Sequence, residues 1–322
     1  MSRIYEALQK AESERKLERH ESEVRLPEHT VSTTISAAAA VAEPEDMVLP
    51  PERFTEASLV EPFAEPSLHR VGESLDLSKV SVRPWAPSME QLPSLLERGP
   101  AVEQFRSLRS RIFELRDISP TLKTILVSSG LPQEGKSFVS TNLALSLARH
   151  KNTKVLLIDG DMRRYTLHQI LGCDSHPGLA DYLAGKATVL EVMQRPEALQ
   201  AVGKGGTPIL PNLTFIAGGN GGDKAADLSG SSRFGELIRM VAPYFDWIIV
   251  DSSPVLPVSD AVNLARSCDG VLLVARGGVT KFPVAQRAQS ELKAANVLGF
   301  VLNAVQDTPE VGSYYGYDAA KK

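Results

Sequence analysis

The sequence predicts an α/β protein with a doubly wound, mostly parallel sheet and helices on both faces. Short apolar runs of strand length recur from residue 124 onward, and segments of helical periodicity lie between them. Strands that alternate with helices pair in parallel and are covered on both faces. The first apolar run is followed at once by a glycine-rich loop and then a helical pattern, the order that opens many such sheets.

The elements follow in chain order. Residues 1–20 read as a short amphipathic helix: Ile4, Leu8 and Ala11 share a face among charged neighbours, which suits a docking segment. Ten of the 21 prolines fall in the first 100 residues, so residues 21–99 read as a disordered linker. Residues 100–308 read as the globular domain, and 309–322 as a flexible tail. Within the domain, Val102, Phe105, Leu108, Ile112 and Leu115 recur at helical spacing. Thr124–Ser128 and Val155–Ile158 read as strands that flank a helix over Ser137–His150. Leu213–Ile216, Trp247–Val250, Val271–Ala275 and Phe300–Leu302 read as further strands, with helices over Arg233–Ala242 and Pro283–Ala295. Gly218–Gly230, rich in Gly and Asp, reads as a mobile loop.

Composition excludes several classes. A net charge of −4 and a pI near 5.9 argue against a general nucleic-acid binder. The two cysteines, Cys173 and Cys268, lack metal-ligand spacing and read as reduced thiols. No run of about 18 apolar residues predicts a membrane span, and charges at Arg3, Glu6 and Lys10 exclude a secretory signal. A cytoplasmic protein is expected.

Three motifs carry chemistry. Gly130-Leu-Pro-Gln133-Glu134-Gly135-Lys136-Ser137 matches the phosphate-binding P-loop and lies between a strand and a helix. Its backbone N–H groups would cradle the phosphates of ATP, helped by the helix N-terminus. Lys136 would meet the β/γ-phosphates and Ser137 would ligate Mg2+. Next, the apolar run Leu156–Ile158 ends in Asp159-Gly-Asp161-Met-Arg163, two carboxylates one residue apart. In an extended segment both point the same way, toward a ligand at the C-terminal edge of the sheet. One would serve magnesium and the other would accept a proton. Third, Trp247–Val250 ends in Asp251-Ser-Ser-Pro254, the pattern of a carboxylate that holds the metal shell.

Together these motifs resemble the bacterial tyrosine kinases of capsule and exopolysaccharide systems, within the wider MinD/ParA-like P-loop group. The Asp159–Arg163 box discriminates. Glu103-x-x-Arg106-x-x-Arg109 resembles the family's self-association motif. Gly178–Gly185 resembles a segment that recurs after the Asp-x-Asp box, and Ser2–Lys10 resembles the start of related chains. The tail Ser313-Tyr314-Tyr315-Gly316-Tyr317 resembles the family's autophosphorylated cluster; three of seven tyrosines lie in the last nine residues. Two departures stand out. Gln133 occupies a position that is usually Gly, tolerable where φ is negative, and Leu131 replaces the signature lysine of the MinD/ParA branch.

The resemblance implies an ATP- and Mg2+-dependent autokinase. Lys136, Asp159, Asp161 and Asp251 would be catalytic, with Asp159 as base. Gly130, Gln133, Glu134, Gly135, Lys136, Ser137, Phe138, Arg163 and Asn303 would hold ATP. Ser137, Asp161 and Asp251 would hold the metal. Tyr314, Tyr315 and Tyr317 would be phosphorylated in trans within a ring built through Glu103, Arg106 and Arg109. Implied partners are a separate transmembrane polysaccharide co-polymerase, which would keep the kinase at the inner face of the plasma membrane, and a cognate tyrosine phosphatase. The alternatives are a MinD/ParA-like switch ATPase and a nucleotide-binding scaffold without kinase activity.

Overall fold

The computed structural model describes residues 75–150, 152–197 and 212–305. The N-terminal helix expected over residues 1–20, most of the expected linker and the tyrosines at 314, 315 and 317 lie outside the described residues.

Eight strands form one sheet. They are β1 (Ser81–Arg83), β2 (Thr124–Ser129), β3 (Val155–Asp159), β4 (Met193–Pro196), β5 (Leu213–Ile216), β6 (Trp247–Asp251), β7 (Gly270–Arg276) and β8 (Val297–Asn303), in the order β1-β4-β5-β3-β6-β2-β7-β8. The run from β5 to β8 is parallel throughout. β4 pairs antiparallel with β5 and parallel with β1. The main helices are α1 (Pro100–Ile118), α2 (Lys136–Ala148), α3 (Leu167–Leu171), α4 (Leu179–Leu183), α5 (Val189–Val192), α6 (Ala225–Gly230), α7 (Ser232–Val241), α8 (Asp260–Ala265) and α9 (Phe282–Glu291).

The central strands are apolar at successive positions because both faces of the sheet are covered. Alternate residues serve opposite cores. Val155 and Leu157 pack with α1 and α2 on one face, while Leu156 and Ile158 pack with α7 and α8 on the other. α2 is buried from Val139 to Ala148, as a helix between a sheet and a second helix must be. α1 starts at Pro100, whose fixed φ suits the first helical position, and buries Val102, Phe105 and Ile112.

The structure corrects the expected linker at its C-terminal end. Residues 75–99 belong to the fold: β1 extends the sheet, Trp85 sits edge-on to Phe215 with ring centroids 6.1 Å apart, and Leu92 and Leu95 are buried. Proline-rich composition does not imply disorder where the few apolar residues find a core. The loop expected over Gly218–Gly230 is also corrected. A 3-10 turn at Gly222–Lys224 leads into α6, which buries Ala225 and Ser229. β1, β4 and the short helices α3 to α5 were not foreseen.

Candidate active site

β2 lies at the centre of the parallel run, so the loop after it opens at the C-terminal edge of the sheet, beside β6 and β7. Gly135 caps α2 in the left-handed region at φ +94°. A Cβ there would meet Asn303 Nδ2 at 1.9 Å, so both conformation and space demand glycine. At Gly160 only space does: a Cβ would meet the Asp251 carbonyl at 2.6 Å, where the Gly160 N–H donates to that carbonyl at 2.8 Å. That close approach sets the ends of β3 and β6 side by side, with Asp159 in register with Asp251.

The four expected catalytic residues converge. Lys136 Nζ pairs with Asp161 Oδ2 at 3.0 Å, and the Ser137 hydroxyl donates to Asp251 Oδ2 at 2.7 Å. Burial alone would lower the Lys136 ammonium, but Asp251 and Asp161 outweigh it and hold the group above its usual range. Asp159 is fully enclosed; its carboxylate accepts the Leu167 N–H at 3.1 Å and the Asp161 N–H at 3.2 Å. Burial, then the Asp251 charge, push the Asp159 carboxyl well above the ordinary carboxylate range. Burial raises Asp251 as well, against the opposing pull of Lys136. Three carboxylates around one lysine leave the site short of positive charge. Asp251 Oδ1 is buried without a hydrogen-bond partner. A hydroxyl and a buried carboxylate 2.7 Å apart, with one lone oxygen, make an oxygen-donor set that fits magnesium.

Other expected ligands have different positions. Arg163 does not face the phosphate loop freely: Nε donates to Asp260 Oδ2 at 2.7 Å. Glu134 organises the loop itself, accepting the Leu131 N–H at 2.7 Å on Oε2 and the Thr280 hydroxyl on Oε1. Asn303, the last residue of β8, donates to the Glu134 carbonyl at 3.0 Å and braces the loop from outside. The Phe138 ring packs edge-on to Phe105, with centroids 5.7 Å apart. Gln133 has φ +65°, which corrects the expectation of a negative φ, and its carbonyl accepts from Arg276 Nη1 at 3.3 Å. Gly130 is hemmed in by Ala288 and Val284 of α9, each 3.3 Å from a Cβ placed there. Sequence reasoning missed Thr280 and Asp260, because their partners are 146 and 97 residues away.

The expected association motif is engaged within the chain. Glu103 pairs with Arg106, and Arg109 Nη1 donates to the Ser146 carbonyl at 2.8 Å.

A strand, a glycine-hinged loop and a helix N-terminus set this way at the edge of a parallel sheet define a P-loop protein. No protein-family model matches the chain. It is 31% identical over 223 residues to the tyrosine-protein kinase YwqD of Bacillus subtilis, covering 68% of this chain and 86% of that one. It is 30% identical over 253 residues to the tyrosine-protein kinase ptk of Acinetobacter johnsonii, but spans only 32% of that relative's length. Among solved structures, the kinase domain of the Escherichia coli tyrosine kinase ETK matches with 31% identity and a TM-score of 0.55, over 65% of this chain and 78% of that one. The chain belongs to the bacterial tyrosine-protein kinases.

Proposed function

We propose that this chain is an ATP-dependent protein-tyrosine autokinase that phosphorylates Tyr314, Tyr315 and Tyr317 of a neighbouring copy. The observation that carries the reading is the convergence of Lys136, the Ser137–Asp251 pair and the Asp159/Asp161 carboxylates at one sheet edge. The names of its relatives support the same activity.

In this reading the loop from Gly130 to Ser137 encloses the phosphates with backbone N–H groups, and Lys136 neutralises charge at the transferred group. Ser137, Asp251 and Asp161 would hold Mg2+, which would neutralise phosphate charge. Asp159 takes the tyrosine proton. Asp161 would be occupied by Lys136, its ion-pair partner, and by the metal, whereas burial and the Asp251 charge make the Asp159 carboxylate hold a proton more strongly than an ordinary one. A tyrosine reaches Asp159 only when its cover moves. Tyr165 and Asp159 both flank Gly218, within 2.6 and 3.3 Å of a Cβ placed there. Arg163 holds the turn after Asp161 through Asp260 and contributes by position. Most of the rate enhancement would come from positioning and charge neutralisation.

The resemblance further supports a role in capsule or exopolysaccharide production, a ring built through Glu103, Arg106 and Arg109, and work beside a transmembrane co-polymerase at the inner membrane face, reversed by a phosphatase. Among the described residues no helix is long and apolar enough to cross a membrane.

Mass spectrometry of the full chain after incubation with Mg·ATP tests the proposal against a Lys136→Met control. Phosphate is expected on the tail tyrosines and not in the control. ATP hydrolysis with unmodified tyrosines would replace the kinase with a switch ATPase, and absence of both activities would leave a nucleotide-binding scaffold.

A further inference from the structure

One segment of the chain braces the phosphate loop from its outer side. β7 ends at Arg276 and α9 begins at Phe282, and residues 277–281 run between them beside the loop. Backbone bonds fix this segment. The Gly277 N–H donates to the Asn303 carbonyl at 2.7 Å, and the Thr280 N–H donates to the Arg276 carbonyl at 2.9 Å.

Three neighbouring acceptors of the loop are tied to this side. The Gln133 carbonyl accepts from Arg276 Nη1 at 3.3 Å, the Glu134 carbonyl from Asn303 Nδ2 at 3.0 Å, and Glu134 Oε1 from the Thr280 hydroxyl. A trans peptide sets its N–H opposite its C=O. Carbonyls held on the outer side therefore turn the N–H groups of Glu134 and Gly135 inward, the side on which such a loop takes phosphate.

Glu134 gives the Thr280 hydroxyl its importance. It is a carboxylate only 4% exposed, inside a loop built for anions. A negative charge there opposes phosphate unless it is turned away. Oε2 lies 3.6 Å from a Cβ placed on Gly130, beside Val284 and Ala288 of α9, and accepts the Leu131 N–H at 2.7 Å. Oε1 is held by Thr280. The Thr280 oxygen in turn accepts the Arg276 N–H at 2.8 Å. A hydroxyl has one proton, and Glu134 takes it, so Thr280 has none left for a phosphate oxygen.

We propose that Thr280 is a positioning residue for the nucleotide, holding the Glu134 carboxylate against α9 so that the loop turns its N–H groups to the phosphates and its only negative charge away from them. The hydroxyl acts through Glu134 and touches no reacting atom. Without it Oε1 loses its donor, the carboxylate is free to turn back, and the Leu131 N–H is released. The inference rests on nucleotide binding at the P-loop and not on transfer to tyrosine, so the two readings fail separately.

Calorimetric titration of the full chain with Mg·ADP tests it. Thr280→Val removes the hydroxyl and keeps the side-chain shape; it should weaken binding about tenfold, as the loss of a hydrogen bond to a charged group implies. Thr280→Ala should do the same, whereas Thr280→Ser keeps the hydroxyl and should stay within about twofold of the parent. In a Glu134→Ala background, adding Thr280→Val should change affinity by less than about twofold, because nothing is left for the hydroxyl to hold. In the nucleotide-free chain, amide hydrogen exchange over residues 130–135 should quicken in Thr280→Val and not in Thr280→Ser. Affinity unaltered by loss of the hydroxyl would overturn the proposal, as would Thr280→Ser binding as weakly as Thr280→Val. Losses at Thr280 and Glu134 that multiply, or loop exchange indifferent to the hydroxyl, would overturn it equally.

Discussion

Gln133 sits in the phosphate loop at φ +65°, where a side chain other than glycine costs about 1–2 kcal/mol. Its carbonyl bond from Arg276 belongs to the backbone and survives substitution. Gln133→Gly should therefore stabilise the fold. Part of the gain is lost because glycine has more freedom in the unfolded chain, so the expected net is about 0.5–1 kcal/mol by urea denaturation. A variant less stable than the parent would mean that the glutamine side chain holds the loop by a contact worth more than the strain. The sequence could locate this position but not its φ. The glycine pattern marks the loop, while the sign of a single dihedral belongs to the folded loop, whose carbonyls Asn303 and Arg276 meet from distant strands. Lys136, Ser137 and Asp251 were legible for the opposite reason. Each stands at a fixed offset within one strand-and-loop string, so local spacing alone placed it. Arg163 shows the limit of that method: its offset from Asp161 is local, but its partner Asp260 is not.

At the scale of elements, the central strands could be read because burial on both faces makes them continuously apolar. The edge strands could not. β1 and β4 are short and carry Arg83, Gln194 and Arg195, and β1 reaches β4 from a segment that is strapped to the domain. The straps are specific. Ala86 N–H donates to the Gly172 carbonyl and Ser88 N–H to that of Ile170, both at 2.9 Å. Gly172, at φ +62°, leaves no room for a Cβ, which would come within 2.0 Å of the Ala86 carbonyl oxygen. Trp85 is the anchor, buried against Phe215, while Val82 on β1 is 61% exposed. Trp85→Ala should cost about 3–5 kcal/mol in chemical denaturation, the range for a large buried aromatic, and Val82→Ala should cost under about 0.5 kcal/mol. Equal small losses at both positions would return residues 75–99 to the status of a linker.

At the scale of the whole molecule, the proposed activity makes a prediction about assembly. Each tyrosine phosphate adds about 1.5–2 negative charges. Three on one tail would add roughly 4.5–6, more than the chain's formal net charge of −4. Copies that associate through α1 would then repel one another far more strongly than before, and the repulsion would weaken with salt. The proposed contact surface would offer little to resist it, since Glu103 and Arg106 already pair within one chain and an exposed pair of this kind contributes at most about 1 kcal/mol. Incubation with Mg·ATP should therefore reduce the oligomer size read by light scattering, and the reduction should shrink at high ionic strength. A chain that lacks residues 309–322 should keep its starting size under the same conditions. If the intact and shortened chains change size alike, nucleotide turnover at the P-loop drives the change directly and the tail charge has no part in it.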